Sequence, residues 1–345
     1  MNMFGKIVWA AAVVSVSAFA AGKVACVGNS ITYGYGIVSW PDQTSYPHHL
    51  QEMLRGDAPG DTVENFGVSS LTVRKDDQAS YWKGHRFAPA IEFAADTVII
   101  ELGTNDSKAY APWNTPAQNA VVDSAITADF EALIDTFQVK SKPHIFICLA
   151  PYVNNVDWNI IDTTVVNRVN PAILRAGLEK GVNVIDLHFY FSALEKPSWY
   201  LEDLVHPSVE GAKHLAEIVY SHLQMDTLRV TQDDNLTLRA PKGFGYQWYK
   251  NGKMLEGDTL ETLTISSVGK YKVSVKVDEK SLSRIVTETF DLQERTALNS
   301  NVRVREMHEG APTNATRRLE LHFDARGRAL KTQNKFQKVY SKRQY

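Results

Sequence analysis

One serine in this sequence follows a glycine turn that could expose it for chemistry. Ser30 comes after Gly28 and Asn29, at the end of the apolar run Lys23 to Val27. A strand-to-helix turn of this kind exposes the serine hydroxyl and leaves the serine backbone N–H free to face a reacting oxygen. The same pattern is equally typical of a helix N-cap. Ser30 is therefore a candidate nucleophile that needs support from a second motif.

That second motif is an aspartate and a histidine close together near the end of the same region. Asp203 and His206 are three residues apart, just before a predicted helix. A carboxylate at this separation can reach the imidazole and fix its tautomer, which leaves the other ring nitrogen to accept a serine proton. Of the ten histidines, only His206 has an acidic residue three positions before it. The pair therefore predicts a general base with its orienting acid.

Two further positions predict hydrogen-bond donors beside Ser30. Gly67 ends a second apolar run, and Asn105 follows a third in the sequence Gly-Thr-Asn-Asp. Glycine lets a backbone N–H approach a substrate closely, and an asparagine amide can donate to the same point. Together with the N–H of Ser30, these groups could bind a tetrahedral oxyanion. The alternative is ordinary turn chemistry, because Gly and Asn both favour turns.

The elements that must position these residues alternate between strands and helices. Predicted strands cover 23–27, 62–68, 97–102, 144–149 and 182–187, and predicted helices cover 46–55, 123–139, 165–180 and 209–223. Such alternation predicts an α/β fold with a mostly parallel sheet and helices on both faces. Ligands bind at the carboxyl ends of the strands in open sheets of this kind. The candidate residues follow strand ends, as this arrangement requires.

The ordered motifs GNSIT, NFGVSS, GTND and DLVHP resemble the four sequence blocks of the SGNH (GDSL-like) hydrolase superfamily, over about residues 23–224. Each block is short, but four in the right order form a strong joint signal. The resemblance implies a three-layer α/β/α, flavodoxin-like fold with strand order 2-1-3-4-5. It also implies that Ser30 is the nucleophile, that Asp203 and His206 complete the triad, and that Ser30, Gly67 and Asn105 form the oxyanion hole. The family's usual aspartate before the serine is Asn29 here.

The resemblance is to carbohydrate acetylesterases within that superfamily. It implies a secreted serine esterase that removes acetyl groups from plant polysaccharide such as acetylated xylan, through an acyl-serine intermediate. Four aromatic residues near the predicted site could stack on sugar rings, although loop packing would explain them equally well. These candidate substrate-binding residues are Tyr33, Trp40, Trp113 and Trp158.

Two other functions stay open. A lipid esterase or thioesterase would use the same triad with an apolar acyl groove, and a non-catalytic carbohydrate-binding surface protein would keep the fold without the triad. No cofactor or metal is expected, because the sequence holds neither an H-E-x-x-H motif nor a phosphate-binding glycine loop. The net charge of -2 also argues against nucleic acid as a partner.

The N-terminus predicts export. Lys6 precedes an apolar run from Ile7 to Phe19, and Ala18 and Ala20 form a small-residue cleavage pattern. We expect residues 1–20 to be a cleaved signal peptide and the mature protein to be secreted, periplasmic or bound to the cell surface. A membrane anchor is the alternative, but the run is shorter than the roughly 20 residues needed to span a bilayer. No later run is long and apolar enough to do so.

The composition changes after the predicted catalytic domain, residues 21–225. Residues 226–293 alternate as short strands, with a hairpin signal at Asn251-Gly252, and resemble a small immunoglobulin-like β-sandwich. Residues 294–345 are basic and are expected to form a flexible tail. Both parts are candidates for contact with polysaccharide or the cell surface.

The cysteines are expected to be free and buried. Cys26 and Cys148 both lie within predicted core strands. The resemblance places a third strand between them, so their separation is about twice the ~4.8 Å strand spacing, beyond the reach of a disulfide.

Overall fold

The computed structural model describes residues 21–37, 44–192, 196–225, 228–234, 237–294 and 320–321. The predicted signal peptide, residues 1–20, and nearly all of the predicted tail lie outside the described residues. Five strands form the parallel part of the central sheet, in the order β2-β1-β3-β4-β5. They are β1 (Lys23–Gly28), β2 (Thr62–Gly67), β3 (Thr97–Glu101), β4 (His144–Leu149) and β5 (Asn183–Asp186). The predicted α/β class and strand order are therefore confirmed.

Helices cover both faces of this sheet. They are α1 (Ser30–Tyr33), α2 (Tyr46–Asp57), α3 (Phe87–Glu92), α4 (Pro116–Lys140), α5 (Asp162–Thr164), α6 (Asn170–Lys180), α7 (Leu187–Tyr190) and α8 (Val209–Leu223), with a π-helical turn at Val165–Val169 before α6. Side chains of β1 alternate between two cores: Ala25 packs in the core beneath α4 and α6, and Cys26 packs in the core beneath α2 and α8. The result is three layers around a doubly covered sheet.

Helix α4 begins earlier than its apolar pattern predicts. Thr115 caps it by accepting from the N–H of Gln118, whose side chain accepts in turn from the N–H of Thr115, and Pro116 occupies the first helical position. This capping box and N-terminal proline extend the helix by two turns into a mostly exposed stretch. Apolar periodicity alone does not detect such an extension.

The C-terminal region continues the central sheet. Its strands are β6 (Thr231–Asp234), β7 (Thr237–Arg239), β8 (Tyr246–Lys250), β9 (Lys253–Met254), β10 (Thr262–Thr264), β11 (Gly269–Lys276), β12 (Arg284–Val286), β13 (Phe290–Glu294) and β14 (Glu320–Leu321). Strands β6, β7 and β10 form a second sheet, and side chains such as Leu238, Trp248 and Val273 from the two sheets share one core. Asn251 and Gly252 both have positive φ and form the predicted hairpin turn.

Strand β12 joins this region to the edge of the parallel sheet. It pairs antiparallel with β5 through Arg284 and Val184. Three side-chain bonds reinforce the junction: Asn183 Oδ1 accepts from Val286 N, Ser283 Oγ accepts from Asp186 N, and Asp186 Oδ2 accepts from Leu282 N. The region therefore covers an edge strand that would otherwise expose unpaired backbone groups. Its likeness to immunoglobulin-like modules stays a prediction.

Both cysteines are buried and free, as predicted, with β3 between their strands. Burial raises the pKa of Cys26 to about 12, so its thiol stays protonated. Among the described residues, no helix combines the length and apolar character needed to cross a bilayer.

Candidate active site

A tight turn at the end of β1 holds Ser30. Ser30 is the first residue of the four-residue helix α1, and Asn29 Oδ1 caps this helix by accepting from the N–H of Ile31 at 2.8 Å. A Cβ at position 28 would lie 2.0 Å from Thr32 Oγ1 and 2.6 Å from the Glu101 carbonyl oxygen. Gly28 is therefore needed for the turn to pack against β3.

Ser30, His206 and Asp203 form a continuous hydrogen-bonded chain. His206 Nε2 lies 2.9 Å from Ser30 Oγ, and His206 Nδ1 lies 2.7 Å from Asp203 Oδ2. The other carboxylate oxygen, Asp203 Oδ1, accepts from the backbone N–H groups of Val205 and His206 at 2.9 Å each. These contacts join the start of α1 to the loop before α8, which are 176 residues apart in sequence. The Ser30–His206 distance allows proton transfer between these two residues, and the His206–Asp203 hydrogen bond orients the imidazole.

The electrostatics of Asp203 suit an acid that remains ionised. Burial by itself would raise its pKa, but the hydrogen bonds from the His206 side chain and from the backbone of His206 and Val205 outweigh that effect. The net result is a pKa below the usual value of an aspartate. A carboxylate held in this way keeps the proton of the neutral imidazole on Nδ1, so Nε2 is free to accept from Ser30.

The hydroxyl of Ser30 opens on a cleft of about 270 Å³, which we call the Ser30 cleft. Its lining includes Ser30 and His206 together with further hydroxyl, amide, ammonium and aromatic groups. The lining residues are Ser30, Tyr35, Ser69, Ser70, Asn105, Lys108, Trp158, Ile160, Val205 and His206. Asn105, which follows β3, lines this cleft, and its role as an oxyanion donor stays a prediction. Its side-chain Nδ2 donates to the Leu71 carbonyl at 3.2 Å, and its Oδ1 accepts from Lys108 Nζ at 2.9 Å.

Gly67, the other predicted donor, is not among the residues that line this cleft. Its N–H donates to Asn65 Oδ1 at 2.8 Å, so this group is already used within β2. Ser69 and Ser70 line the cleft instead, and Ser70 has a φ of 68°. In the described part of the chain no partner is recorded for the N–H of Ser70. The structure thus places the loop after Gly67, and not Gly67 itself, in the lining of this cleft.

Gly67 has a packing role that the sequence did not indicate. A Cβ there would lie 2.3 Å from the backbone nitrogen of Tyr33, so a side chain would push α1 away from β2.

We expect Gly67→Ala to lower the free energy of unfolding by roughly 3 kcal/mol, measured by urea denaturation. Gly60→Ala is the matched control, because a Cβ at Gly60 meets nothing within 4 Å. Equal stability of the two variants would contradict this packing role.

The predicted sugar-stacking aromatics separate into three groups. Trp158 lines the Ser30 cleft with 43% of its surface exposed, and its ring centroid lies 5.8 Å from that of His206. Tyr33 and Trp113 are exposed but do not line the cleft. Trp40 lies outside the described residues.

Sequence reasoning missed one aromatic residue. Tyr35 lines the cleft, is 48% exposed, and its ring centroid lies 4.6 Å from that of His206. It stands between Gly34 and Gly36, which have φ values of 89° and 80°. Two glycines in the left-handed region turn the chain sharply. The Gly-Tyr-Gly pattern directly after the serine turn was the available signal.

A buried carboxyl group lies directly behind the serine turn. Glu101, at the end of β3, is fully buried, and its Oε2 accepts from Thr32 Oγ1 at 3.1 Å. Burial raises the pKa of Glu101 to about 8, although the side chains of Thr32 and Asn29 oppose the shift. Asp106, which accepts from the N–H groups of Val73 and Arg74, has its pKa raised by burial to about 7.

The raised pKa of Glu101 predicts a loss of stability with rising pH. An unfolded glutamate releases its proton near pH ~4.3, whereas the folded group holds it to about pH 8. Between these values the folded state binds more protons, so raising the pH favours unfolding, and the effect is complete above the folded pKa. We expect Glu101→Gln to flatten the fall in unfolding free energy between pH 5 and pH 9. Glu64→Gln, at an exposed position on β2, is the control. An unchanged slope in Glu101→Gln would contradict the assignment.

Known proteins resemble part of this chain. A curated acetylxylan esterase from Xylanibacter ruminicola is 33% identical over 215 residues, which cover 57% of this chain and 42% of that protein. The match thus spans less than half the length of this relative.

Two of the similar solved structures are carbohydrate esterases. An acetylxylan esterase from Geobacillus stearothermophilus matches with 21% identity and a TM-score of 0.45, over 60% of this chain and 96% of that one. A carbohydrate acetylesterase from Sinorhizobium meliloti matches with 17% identity and a TM-score of 0.45, over 59% and 99%.

The family comparison covers the α/β region itself. Residues 26–214 match the GDSL-like Lipase/Acylhydrolase family. This match covers 189 of the 345 residues, more than half of the chain, and it includes Ser30, Asn105, Asp203 and His206. The chain therefore belongs to the GDSL-like lipase/acylhydrolase family.

Proposed function

We propose that this protein is a secreted serine esterase that removes acetyl groups from carbohydrate, with acetylated plant polysaccharide such as xylan as its substrate class. The observation that carries the proposal is the hydrogen-bonded chain from Asp203 through His206 to Ser30, which ends in a small cleft flanked by Tyr35 and Trp158. The acetylxylan esterase relative supports the choice of substrate. The comparison covers less than half of that relative, so its activity enters here as a proposal.

The reaction begins when Ser30 Oγ attacks the acetyl carbonyl carbon while His206 Nε2 takes the hydroxyl proton. The tetrahedral intermediate collapses to an acetyl-serine, and His206 gives its proton to the departing sugar hydroxyl. Water then attacks the acetyl-serine with the same base, which releases acetate and restores Ser30. Asp203 stabilises the imidazolium form of His206 in both steps.

The negative oxygen of each tetrahedral intermediate needs donors that are already in place. We assign this role to the backbone N–H of Ser30 and the side-chain Nδ2 of Asn105. The backbone of the Ser69–Ser70 loop supplies the third donor in place of Gly67, because this loop lines the cleft and the N–H of Gly67 is bonded to Asn65. No residue role in this scheme requires a cofactor.

Tyr35 and Trp158 suit a sugar next to the acetyl group. Both rings are nearly half exposed and lie beside His206. The oxygen of the leaving sugar must also lie near His206, because it takes its proton from this residue. Aromatic faces pack well against the apolar faces of sugar rings. Trp113 is 84% exposed and is a candidate for contact with a longer polysaccharide further from the cleft.

The size of the Ser30 cleft predicts a preference for short acyl groups. About 270 Å³ must hold the acyl group and part of the alcohol, and much of the lining is polar. We expect kcat/KM to fall at least tenfold, about 1.4 kcal/mol, from p-nitrophenyl acetate to p-nitrophenyl octanoate. The rate of acetate release from acetylated xylan tests whether carbohydrate is the substrate. A preference for the octanoyl ester would instead favour the lipid esterase alternative.

Export belongs to the same proposal, with residues 1–20 as the signal peptide. Ala21 is buried, and its backbone nitrogen donates to Asp61 Oδ2 at 2.8 Å. Cleavage after Ala20 would turn this N–H into an ammonium group paired with the Asp61 carboxylate, which supports that cleavage site. The C-terminal sheets and basic tail would then contact polysaccharide or the cell surface. Mass spectrometry of exported protein should give a chain that begins near Ala21, and retention of Met1 would contradict it.

A further inference from the structure

Lys108 is the one lysine among the residues that line the Ser30 cleft, and its ammonium group contacts a side chain of the proposed oxyanion hole. It lies in the turn Thr104–Ala109 after β3, three residues beyond Asn105. Its Nζ lies 2.9 Å from Asn105 Oδ1. Within the described part of the chain, no carboxylate forms a salt bridge with Lys108. Lys108 is exposed as a residue, and the amide oxygen of Asn105 is the hydrogen-bond partner of its ammonium group in the described part of the chain.

This contact determines which end of the Asn105 amide faces which neighbour. An ammonium group has three donors and no acceptor, so the Asn105 atom that faces Lys108 must be the oxygen. The amide nitrogen then points the other way, where it donates one hydrogen to the Leu71 carbonyl at 3.2 Å. Its second hydrogen has no recorded partner among the described residues. That hydrogen is the one available to an oxyanion in the cleft.

The charge of Lys108 also changes the strength of this donor. A cation at the amide oxygen draws electron density from the amide nitrogen, which makes the remaining N–H a stronger donor in a partly buried site. Burial lowers the pKa of Lys108, as expected for an ammonium group partly removed from water. The turn is held from outside as well, because the Lys108 carbonyl accepts from Asn159 Nδ2, next to Trp158.

We propose that Lys108 is a positioning residue that orients and polarises the Asn105 amide as an oxyanion donor. The inference rests on the proposed function, because Lys108 affects the reaction only if Asn105 is an oxyanion donor. A lysine that only contacted the glycan would act on sugar substrates alone. A lysine that only stabilised the turn would lower stability without acting specifically through Asn105.

The test is a double-mutant cycle with p-nitrophenyl acetate, an ester that carries no sugar. Asn105→Ala should lower kcat by on the order of 10²- to 10³-fold, with little change in KM. Lys108→Met should lower kcat about tenfold in the parent enzyme and leave it unchanged in the Asn105→Ala enzyme, because the residue through which Lys108 acts is then missing. Lys108→Arg should restore most of the loss, since a guanidinium also only donates.

Three results would overturn the proposal. An equal loss from Lys108→Met in both backgrounds would show that Lys108 acts independently of Asn105. An unchanged kcat on p-nitrophenyl acetate, with a raised KM on acetylated xylan, would make Lys108 a glycan contact. A fall in melting temperature that accounts for the lost activity would make its role structural. Lys213→Met, at an exposed position on α8, is the control for loss of a lysine charge.

The cycle also separates this proposal from the proposed function. If Ser30→Ala kept the parent activity, the serine esterase mechanism itself would fail, and if Asn105→Ala had no effect, Asn105 would not be an oxyanion donor. Suppose instead that Ser30→Ala and Asn105→Ala lose activity as expected, but Lys108→Met lowers kcat by the same factor with and without Asn105. Only the proposed role of Lys108 would then be wrong.

Discussion

Ser30→Ala and His206→Ala are each expected to lose nearly all turnover of acetyl esters, on the order of 10⁵- to 10⁶-fold in kcat. Ser30 Oγ and His206 Nε2 lie 2.9 Å apart and act as one unit. Without the hydroxyl no acetyl-enzyme can form, and without the imidazole the hydroxyl keeps its proton. The double variant should therefore be little worse than either single variant.

The measurement is kcat for p-nitrophenyl acetate, with an acyl-enzyme burst as the second readout. Ser124→Ala and His85→Ala are matched controls, because both residues are exposed and neither lines the Ser30 cleft. A folded Ser30→Ala protein that turned over the ester at close to the parent rate, with contamination excluded, would refute the serine mechanism.

Much of the fold follows from local sequence patterns. Apart from the first two turns of α4, the predicted strands and helices of the α/β region lie within a few residues of the observed ones, because each is buried on a face that its own periodicity reveals. The sequence also predicted that the candidate residues lie close together. Parallel strands end at one edge of a sheet, so the motifs that follow β1, β3 and β5 meet at that edge. This is why Ser30 and His206 meet although 176 residues separate them.

The parts that were missed depend on contacts between distant segments. Gly67 has the sequence context of a turn donor, yet the close approach of Tyr33 is what requires a glycine there. Tyr35 reaches His206 only because the glycines on both sides turn the chain. The pairing of β12 with β5 joins Arg284 to Val184 across 100 residues, and no local pattern encodes such a pairing.

The second large loss of kcat is expected from a substitution of Asp203. The two carboxylate oxygens of this residue have separate partners. Oδ1 accepts from two backbone N–H groups, and Oδ2 accepts from His206 Nδ1. An asparagine at this position would keep its oxygen on the two backbone donors, since only an oxygen can accept there. Its NH₂ group would then face His206 Nδ1 as a donor. The imidazole would have to carry its proton on Nε2, where it opposes proton transfer from Ser30.

We therefore expect Asp203→Asn to lower kcat by on the order of 10³- to 10⁴-fold, less than the loss of Ser30 or His206. Asp203→Ala should be no worse than Asp203→Asn, because alanine removes the stabilising charge without enforcing the wrong tautomer. The measurement is kcat for p-nitrophenyl acetate, together with the imidazole nitrogen shifts of His206 by NMR, which report the tautomer. Asp162→Asn is the matched control, since Asp162 forms a similar pair with His188 at 2.8 Å but neither residue lines the Ser30 cleft. A His206 that kept its proton on Nδ1 in Asp203→Asn, with activity near that of the parent, would contradict the orienting role of this carboxylate.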